Sequence, residues 1–225
     1  MELKKVIILG TTQFSVMMCS ILESEGYSVY AYSTYKEYLN SNFFMGYPVF
    51  PTEDLAELMG GVENFMILNT INTIGYSKLN TIRERTFADL KMREYDIMTF
   101  ISQKANIYTD KIGQGCIVMP GCFIGNNIVL GESNVIYTNT VLTHDISIGA
   151  YNFIGANVVI GGNVTMDTNN FVGMNSVIKN RVSVGSYSII GCGSNVIASI
   201  KSYSVYTGNP AVHKKNILDI NSVNI

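Results

Sequence analysis

An aliphatic residue recurs at every sixth position over the segment 112–195, with no insertion. The segment divides into fourteen six-residue units, which begin with Ile, Val, Leu or Met at positions 112, 118, 124, 130, 136, 142, 148, 154, 160, 166, 172, 178, 184 and 190. Glycine occupies the second position in nine units, and the fifth position is mostly small or β-branched. This self-similarity predicts a parallel β-helix in which each unit forms one short strand and one corner.

The geometry of the coil follows from the repeat. Three units close one triangular turn, so residues eighteen apart stack at the strand spacing of ~4.8 Å. Short β-branched strands suit a wall that is buried on one side, and glycine suits corners where a Cβ atom would clash. Fourteen units predict nearly five coils.

The first hundred residues show a different pattern, in which short apolar runs alternate with amphipathic segments. Strands are predicted at 4–10, 27–32, 47–50, 64–69 and 97–101, and helices at 14–25, 53–59 and 77–93. This alternation predicts a small parallel sheet with helices on its faces. Pro48 suits only an edge strand, and Thr52 is expected to cap the helix at 53–59.

These patterns divide the chain into three parts. Residues 1–101 are predicted to form a Rossmann-like α/β half-domain, and residues 102–201 the β-helix. The repeat register lapses after position 195, and residues 202–225 are predicted to form a C-terminal strand and a tail that packs on a neighbour or frays.

The α/β half-domain has two interpretations. It could bind a nucleotide at the carboxyl ends of its strands, near the turn at Gly10. Alternatively, it could be a structural cap over one end of the β-helix. One glycine is a weak signal beside the G-x-G-x-x-G pattern of dinucleotide sites, so the residues alone favour neither interpretation.

Composition and charge narrow the function classes. The 225 residues are 47% hydrophobic and 14% charged, which is typical of a folded protein. A formal net charge of −2 gives no electrostatic reason to expect nucleic acid or an anionic membrane as a partner. The apolar run at 6–10 is too short for a signal peptide or a membrane span, and we expect a cytoplasmic protein.

Cysteine and histidine usage gives little support for a metal site. The four cysteines show no C-x-x-C spacing and are expected to be reduced thiols. The two histidines, His144 and His213, supply too few imidazoles for a three-histidine zinc site on the coil. We therefore expect no metal.

One repeat unit, 142–147, replaces the glycine corner with a polar one that carries His144 and Asp145. An imidazole is suited to take a proton near neutral pH, and the adjacent carboxylate could orient it and raise its basicity. The alternative is a solvent-exposed corner histidine with a solvating neighbour. Gly162 lies one predicted coil above His144, where it would leave a notch and a free amide for a developing oxyanion.

A second column of residues repeats at eighteen and consists of Ala156, Met174 and Cys192. It predicts a track of mostly small side chains along the coil axis. A long thin ligand could lie on this track.

Several segments together carry a family resemblance: VIILG at 6–10, GYPVFPTEDL at 46–55, IMTFISQKANI at 97–107, TVLTHDISIG at 140–149 and VYTGNPA at 205–211. With the hexapeptide coil, they make the chain similar to bacterial sugar acyltransferases of the left-handed β-helix class, specifically the sialic acid O-acetyltransferase and UDP-4-amino-sugar N-acetyltransferase group. The resemblance implies a left-handed coil, a homotrimer and active sites between subunits.

The resemblance also implies roles for residues. His144 would be the general base, assisted by Asp145, and the acceptor would attack the thioester directly. Acetyl-CoA would contact the backbone at Gly162, Met174 and Cys192, with Lys214 near its far end.

The sequence departs from the family pattern at three places. A second coil histidine that touches the cofactor in some members falls at Phe153, so this contact cannot be polar. The G-x-S-G-H loop that touches the nucleotide-sugar corresponds to Gly10, Thr11 and Thr12 followed by Gln-Phe, without its histidine. The acidic pair that commonly follows the second strand in this family is replaced in the present sequence near Ser33. The acetyl-CoA half of the predicted site is therefore better supported than the acceptor half.

The sequence thus predicts an acetyl-CoA-dependent acetyltransferase that acts on a sugar amine or hydroxyl, with a nucleotide-linked amino sugar as the expected acceptor and surface-glycan biosynthesis as the setting. One alternative is an acyltransferase of the same fold with another acyl donor or a non-sugar acceptor. The other alternative is a non-catalytic trimeric scaffold, which has no use for His144.

Overall fold

The computed structural model describes residues 4–72 and 79–217. The chain divides into two compact units, one of residues 1–71 with 85–99 and the other of residues 72–84 with 100–225. Phe100–Ile101, at the end of the predicted first domain, pairs with a strand of the second unit. Residues 72–84 also group with the second unit rather than with the α/β part.

The first unit contains a mainly parallel sheet. Its strands are β1 (Lys5–Leu9), β2 (Val29–Thr34), β3 (Phe43–Phe44), β4 (Tyr47–Pro51) and β5 (Phe65–Asn69), and its helices are α1 (Gln13–Ser24) and α2 (Leu55–Met59), with 3-10 turns at Lys36–Tyr38, Thr52–Asp54 and Val62–Asn64. The strand order is β3-β4-β2-β1-β5, and only β3 runs antiparallel to its neighbour. A third helix, α3 (Thr81–Met92), spans the division between the units.

Four local features of this part differ from the sequence predictions. Pro48 lies in β4, which is not the edge strand as expected, because the two-residue strand β3 pairs with β4 on its outer side. Thr52 does not cap a helix, because its hydroxyl is 2.8 Å from the Ser33 hydroxyl and a 3-10 turn precedes α2. The predicted strand at 97–101 is divided into a bridge between Ile97 and Ile67 and a two-residue strand, Phe100–Ile101, in the second unit. The predicted helix at 77–93 starts at Thr81, and its first two predicted residues lie outside the described part of the chain.

The second unit is a parallel β-helix with three walls. The eight-stranded wall contains β6 (Phe100–Ile101), β8 (Ile117–Val118), β11 (Val135–Ile136), β14 (Phe153–Ile154), β17 (Phe171–Val172), β20 (Ile189–Ile190), β22 (Ser204–Thr207) and β23 (Val212–Asn216). The six-stranded wall contains β7 (Asn106–Ile107), β9 (Phe123–Ile124), β12 (Val141–Leu142), β15 (Val159–Ile160), β18 (Val177–Ile178) and β21 (Asn195–Val196). The four-stranded wall contains β10 (Val129–Leu130), β13 (Ser147–Ile148), β16 (Thr165–Met166) and β19 (Ser183–Val184).

The coil extends beyond the predicted repeat at both ends. In its middle, paired residues are eighteen apart, as with Val141 and Val159. The first coil is one residue shorter, since Asn106 pairs with Phe123, and the last is two residues shorter, since Ile189 pairs with Val205. These shortened coils explain why the sequence register lapses although the wall continues.

The C-terminal residues are part of the same architecture. Strand β22 adds in parallel to the eight-stranded wall, and β23 folds back on it as an antiparallel strand. Residues 202–217 are therefore not a separate segment, contrary to the predicted division. The remainder of the predicted tail, 218–225, lies outside the described residues.

Each corner of the coil uses two backbone devices. The residue at the fourth position of a unit has a positive φ, at Asn127, Ser133, Asn139, Asp145, Tyr151, Asn157, Asn163, Asn169, Asn175, Arg181 and Tyr187. Asparagine and aspartate tolerate this left-handed conformation better than most residues, which explains the asparagines in this column. The second-position glycines instead allow close approach, because a Cβ on Gly131 would lie 2.7 Å from the backbone carbon of Gly149 in the next coil.

The interior of the coil is apolar. The first-position aliphatic residues point inward and form one continuous cluster that includes Ile124, Leu142, Ile160 and Ile178. A polar ladder runs along one corner, where Asn152 and Asn170 each accept a hydrogen bond from the backbone N–H of the residue eighteen positions later. Arg83 in the first turn of α3 is fully buried and donates to the carbonyls of Ser133 and Gly115. Burial lowers its pKa to about 10.

Candidate active site

His144 and Asp145 lie on the corner between β12 and β13 and contact each other directly. The Nδ1 atom of His144 is 2.8 Å from Oδ2 of Asp145. The other carboxylate oxygen, Oδ1, accepts a hydrogen bond of 2.6 Å from the side-chain amide of Asn127, one coil below. Asp145 thus bridges a neighbouring imidazole and a residue of the adjacent coil, which fixes its orientation.

The hydrogen bonds of Asp145 favour its charged form. The bond from Asn127 is the larger cause and the bond from His144 the second, and together they hold the pKa of this carboxyl below its usual value. A carboxylate that accepts from Nδ1–H leaves Nε2 as the unprotonated nitrogen of a neutral imidazole. Nε2 has no hydrogen-bond partner within 4–72 or 79–217 and can accept a proton from a bound molecule.

Gly162 lies against the imidazole ring, as its position eighteen residues later predicts. A Cβ atom at this position would lie 2.6 Å from Nε2 and 2.9 Å from Nδ1, so only glycine leaves room for the ring. The backbone N–H of Gly162 has no acceptor in the part of the chain that the structure describes. The predicted notch with an available amide is therefore present beside His144.

Two cavities flank this corner along the coil axis. One has a volume of about 630 Å³ and is lined by His144, Asn163, Lys179 and Arg181, among others. The other has a volume of about 600 Å³ and is lined by residues 107–111 together with Asn126 and Asn127. The imidazole therefore lies at the edge of a space large enough for a small-molecule substrate.

The other predicted acetyl-CoA residues do not meet His144 within one chain. Met174 and Cys192 are exposed and stack on the corner between the eight-stranded and six-stranded walls, whereas His144 lies on the corner after the six-stranded wall. Phe153 is 8% exposed and packs between Tyr137 and Phe171. Lys214 is an exposed residue of β23.

The predicted acceptor residues belong to the first unit and have different environments. Thr11 lines a cavity of about 130 Å³ together with Thr34 and Tyr38. Thr12 is occupied as the N-cap of α1. Ser33 is fully buried, and a Cβ on Gly10 would lie 2.8 Å from the Thr70 hydroxyl. Of this group, Thr11 is the residue that reaches a cavity.

Sequence reasoning did not identify Asn127, Lys179 or Arg181 as part of this region. The eighteen-residue spacing that places Gly162 one coil above His144 also places Asn127 one coil below Asp145. By the same spacing, Gly161 lies one coil below Lys179. Asn127 was missed because its column is generally rich in asparagine, so a single member does not stand out.

The cysteine thiols are the other reactive side chains of the described chain. The four cysteines are unpaired thiols, of which Cys192 is exposed. Burial raises the pKa of Cys116, and it raises the pKa of Cys122 to about 11. Within residues 4–72 and 79–217, no cluster of three or more His, Cys, Asp or Glu side chains could hold a metal ion. None of the described helices is long and apolar enough to span a bilayer.

Residues 127–162 match the family model described as bacterial transferase hexapeptide (six repeats). No curated protein matches the sequence. Among solved structures, the chain is similar to a variant of perosamine N-acetyltransferase from Caulobacter crescentus in complex with CoA and GDP-perosamine. The identity is 21% and the TM-score is 0.83, over 95% of this chain and 98% of that chain.

Two further solved structures have similar folds. The acetyltransferase domain of PglB from Neisseria gonorrhoeae in complex with acetyl coenzyme A is 20% identical with a TM-score of 0.81, over 94% of this chain and 99% of that chain. WeeI from Acinetobacter baumannii is 19% identical with a TM-score of 0.80, over 94% of this chain and 100% of that chain. These likenesses confirm the predicted fold, an α/β half-domain followed by a left-handed β-helix.

Proposed function

We propose that this protein is an acetyl-CoA-dependent acetyltransferase that acylates an amine or hydroxyl of a nucleotide-linked sugar in surface-glycan biosynthesis. The observation that carries the proposal is the His144 imidazole, which Asp145 holds through Nδ1, which packs beside Gly162 and which lines a cavity. A corner residue with no function would not need a fixed tautomer, a glycine notch and an adjacent cavity together.

The arrangement supports direct acyl transfer. The acceptor nitrogen or oxygen attacks the thioester carbonyl carbon, and Nε2 of His144 takes the proton that the acceptor loses. Asp145 stabilises the imidazolium that forms. The N–H of Gly162 is available to the carbonyl oxygen as it becomes negative. When the C–S bond breaks, the imidazolium returns the proton to the sulfur, which leaves free CoA and an acetylated sugar.

The comparisons support the substrate classes. The similar Caulobacter structure contains CoA and GDP-perosamine, and the Neisseria domain contains acetyl coenzyme A. For the present chain, acetyl-CoA as acyl donor and a nucleotide-linked amino sugar as acceptor are the simplest pair consistent with a catalytic base and a cavity. The roles of Phe153, Met174, Cys192 and Lys214 towards acetyl-CoA stay predictions. So do the roles of Gly10, Thr11, Thr12 and Ser33 towards the acceptor.

A homotrimer is part of the proposal. The six-stranded wall separates the corner of Met174 and Cys192 from the corner of His144. A ligand that needs both corners would require a second copy packed against this wall. Its outward side carries Phe123, Val159 and Val177, each more than a third exposed, which are costly to leave in water.

The test is a screen of UDP-, GDP- and dTDP-linked amino sugars with acetyl-CoA, in which release of free thiol is followed and the product is identified by mass. We expect acceptor-dependent thiol release with one nucleotide-sugar class, and its loss in His144→Ala. Thiol release without an acetylated product would be hydrolysis. Equal turnover by the wild type and His144→Ala would remove the proposed base and favour the scaffold.

A further inference from the structure

Two cations stand on the His144 corner, two coils further along the axis. Lys179 and Arg181 belong to the unit 178–183, which lies thirty-six residues and therefore two strand spacings, about 10 Å, above the unit of His144. Both residues line the 630 Å³ cavity that His144 also lines. The two side chains and the imidazole thus border one continuous space.

Both residues depart from the repeat in ways that the coil itself does not require. The second position of a unit is usually glycine, but this unit has Lys179. The fourth position is usually asparagine or another residue that tolerates a positive φ, but Arg181 holds φ at +63° there. Ser133, Tyr151 and Tyr187 also occupy this position with a positive φ, so the backbone accepts an arginine here but does not require its charge.

The charges of this pair are uncompensated within the described chain. Neither side chain forms an ion pair with a carboxylate of residues 4–72 or 79–217, and the lining of the cavity contains no Asp or Glu. On the intervening coil, Gly161 and Gly162 contribute no side chains, and Asn163, one coil below Arg181, lines the same cavity as a neutral polar residue.

We infer that Lys179 and Arg181 form a diphosphate-binding site beside the catalytic corner. This inference rests on the proposed function, because both expected substrates carry a diphosphate, one in CoA and one in the nucleotide-linked sugar. Two adjacent cations, of which arginine can bind two phosphate oxygens at once, match this dianionic group. Bound there, the diphosphate holds its ligand along the corner, with the reacting end directed to His144.

The test measures binding by calorimetry for the full-length protein. The variants are Lys179→Gln, Arg181→Asn and the double variant, with Lys201→Gln as the control, an exposed lysine on another corner. Asparagine favours the left-handed conformation at position 181, so Arg181→Asn should fold at least as well as the wild type. The ligands are CoA, UDP, GDP and dTDP, each titrated at low and high salt.

We expect the double variant to lose affinity for one diphosphate class by about tenfold or more, with a weaker salt dependence, while Lys201→Gln binds like the wild type. Loss for CoA alone would assign the site to the acyl donor, and loss for a nucleoside diphosphate alone would assign it to the acceptor. If the wild type binds CoA or a nucleoside diphosphate and the double variant binds it equally well, the inference is wrong and the proposed function stands. If the wild type binds none of the ligands, both fail.

Discussion

At the scale of single residues, the corner at 144–145 combines structural and chemical demands. Asp145 occupies the column of left-handed residues, where an aspartate is acceptable for backbone reasons alone. Its side chain also accepts hydrogen bonds from both His144 and Asn127, which the backbone conformation does not require. The histidine has no comparable structural reason to be there, and its side chain is 55% exposed. Chemistry is therefore the better explanation for the histidine.

Replacement of His144 by alanine should lower kcat by ~100- to 10,000-fold, the usual contribution of general-base catalysis. The affinity for acetyl-CoA should change little, because the ring is expected to contact the reacting atoms and not the rest of the ligand. Steady-state rates and calorimetric binding measure the two quantities separately. His213→Ala removes the other histidine, which lies on β23, and should leave the rate unchanged. A large loss of acetyl-CoA affinity in His144→Ala would contradict the assigned role.

Asp145→Asn should lower kcat by a smaller factor than His144→Ala. Asparagine tolerates the left-handed corner and can still contact Asn127, but it lacks the negative charge that stabilises the imidazolium. The pH profile of kcat/KM separates the roles. The pKa of Asp145 lies below its usual value, so this carboxylate stays charged across the working range and is protonated only as the pH falls through the lowered pKa. The acidic limb should therefore disappear in His144→Ala and persist in Asp145→Asn. An unchanged acidic limb in His144→Ala would assign it to another group.

At the scale of elements, the coil depends on stacking between successive turns. The buried ladder at one corner illustrates this, since the Asn152 side chain donates to Asn134 Oδ1 at 3.0 Å and accepts from the backbone N–H of Asn170 at 2.9 Å. Each rung satisfies a buried backbone group of the next coil, and such groups are costly to leave unpaired. The ladder therefore fixes the register between neighbouring turns.

Asn152→Leu should destabilise the protein by about 1–3 kcal/mol, because it leaves the buried N–H of Asn170 without its acceptor. Thr165→Val is the matched control, since it removes an exposed hydrogen bond of 3.0 Å to Ser183 between neighbouring coils. The control should change stability by no more than about 0.5 kcal/mol. Thermal or denaturant unfolding measures both variants. Equal stability of the two would show that the ladder is not a main source of stability.

At the scale of the whole molecule, the apolar surface bears on assembly. Phe123, Phe153 and Phe171 share the sixth position of their units, but of these three Phe123 alone is more than a third exposed. Phe153 is instead buried against Phe171 and Tyr137 within the chain. Three exposed apolar residues lie on the six-stranded wall, where Phe123, Val159 and Val177 are aligned in register through the half-buried Val141.

Val159→Glu should convert the proposed trimer to monomer, because it places a charge in the middle of this apolar stripe. Thr165→Glu, on the exposed side of the four-stranded wall, is the matched control and should leave assembly unchanged. Light scattering at micromolar concentration distinguishes the outcomes. A wild type that is a stable monomer would refute both the trimer and an active site between subunits.

The sequence by itself determined the features that depend on an unbroken repeat. The period of six specifies the walls, and the spacing of eighteen correctly places Gly162 beside His144, because stacking in the regular coils depends only on the residue count. The alternating pattern before residue 100 likewise predicts a parallel sheet, which β1, β2, β4 and β5 form.

Only the tertiary structure decided two kinds of feature: those that depend on a change in the number of residues per coil, and those that depend on which side chains contact each other. The 17- and 16-residue coils carry the walls to Phe100 and Thr207, because pairing of backbone groups continues when the periodicity does not. The burial of Phe153 follows from stacking on side chains of neighbouring coils, which a hydrophobic pattern does not distinguish from exposure. The cavity shared by His144, Lys179 and Arg181 depends on how three successive coils present their corners, so no local pattern reveals it.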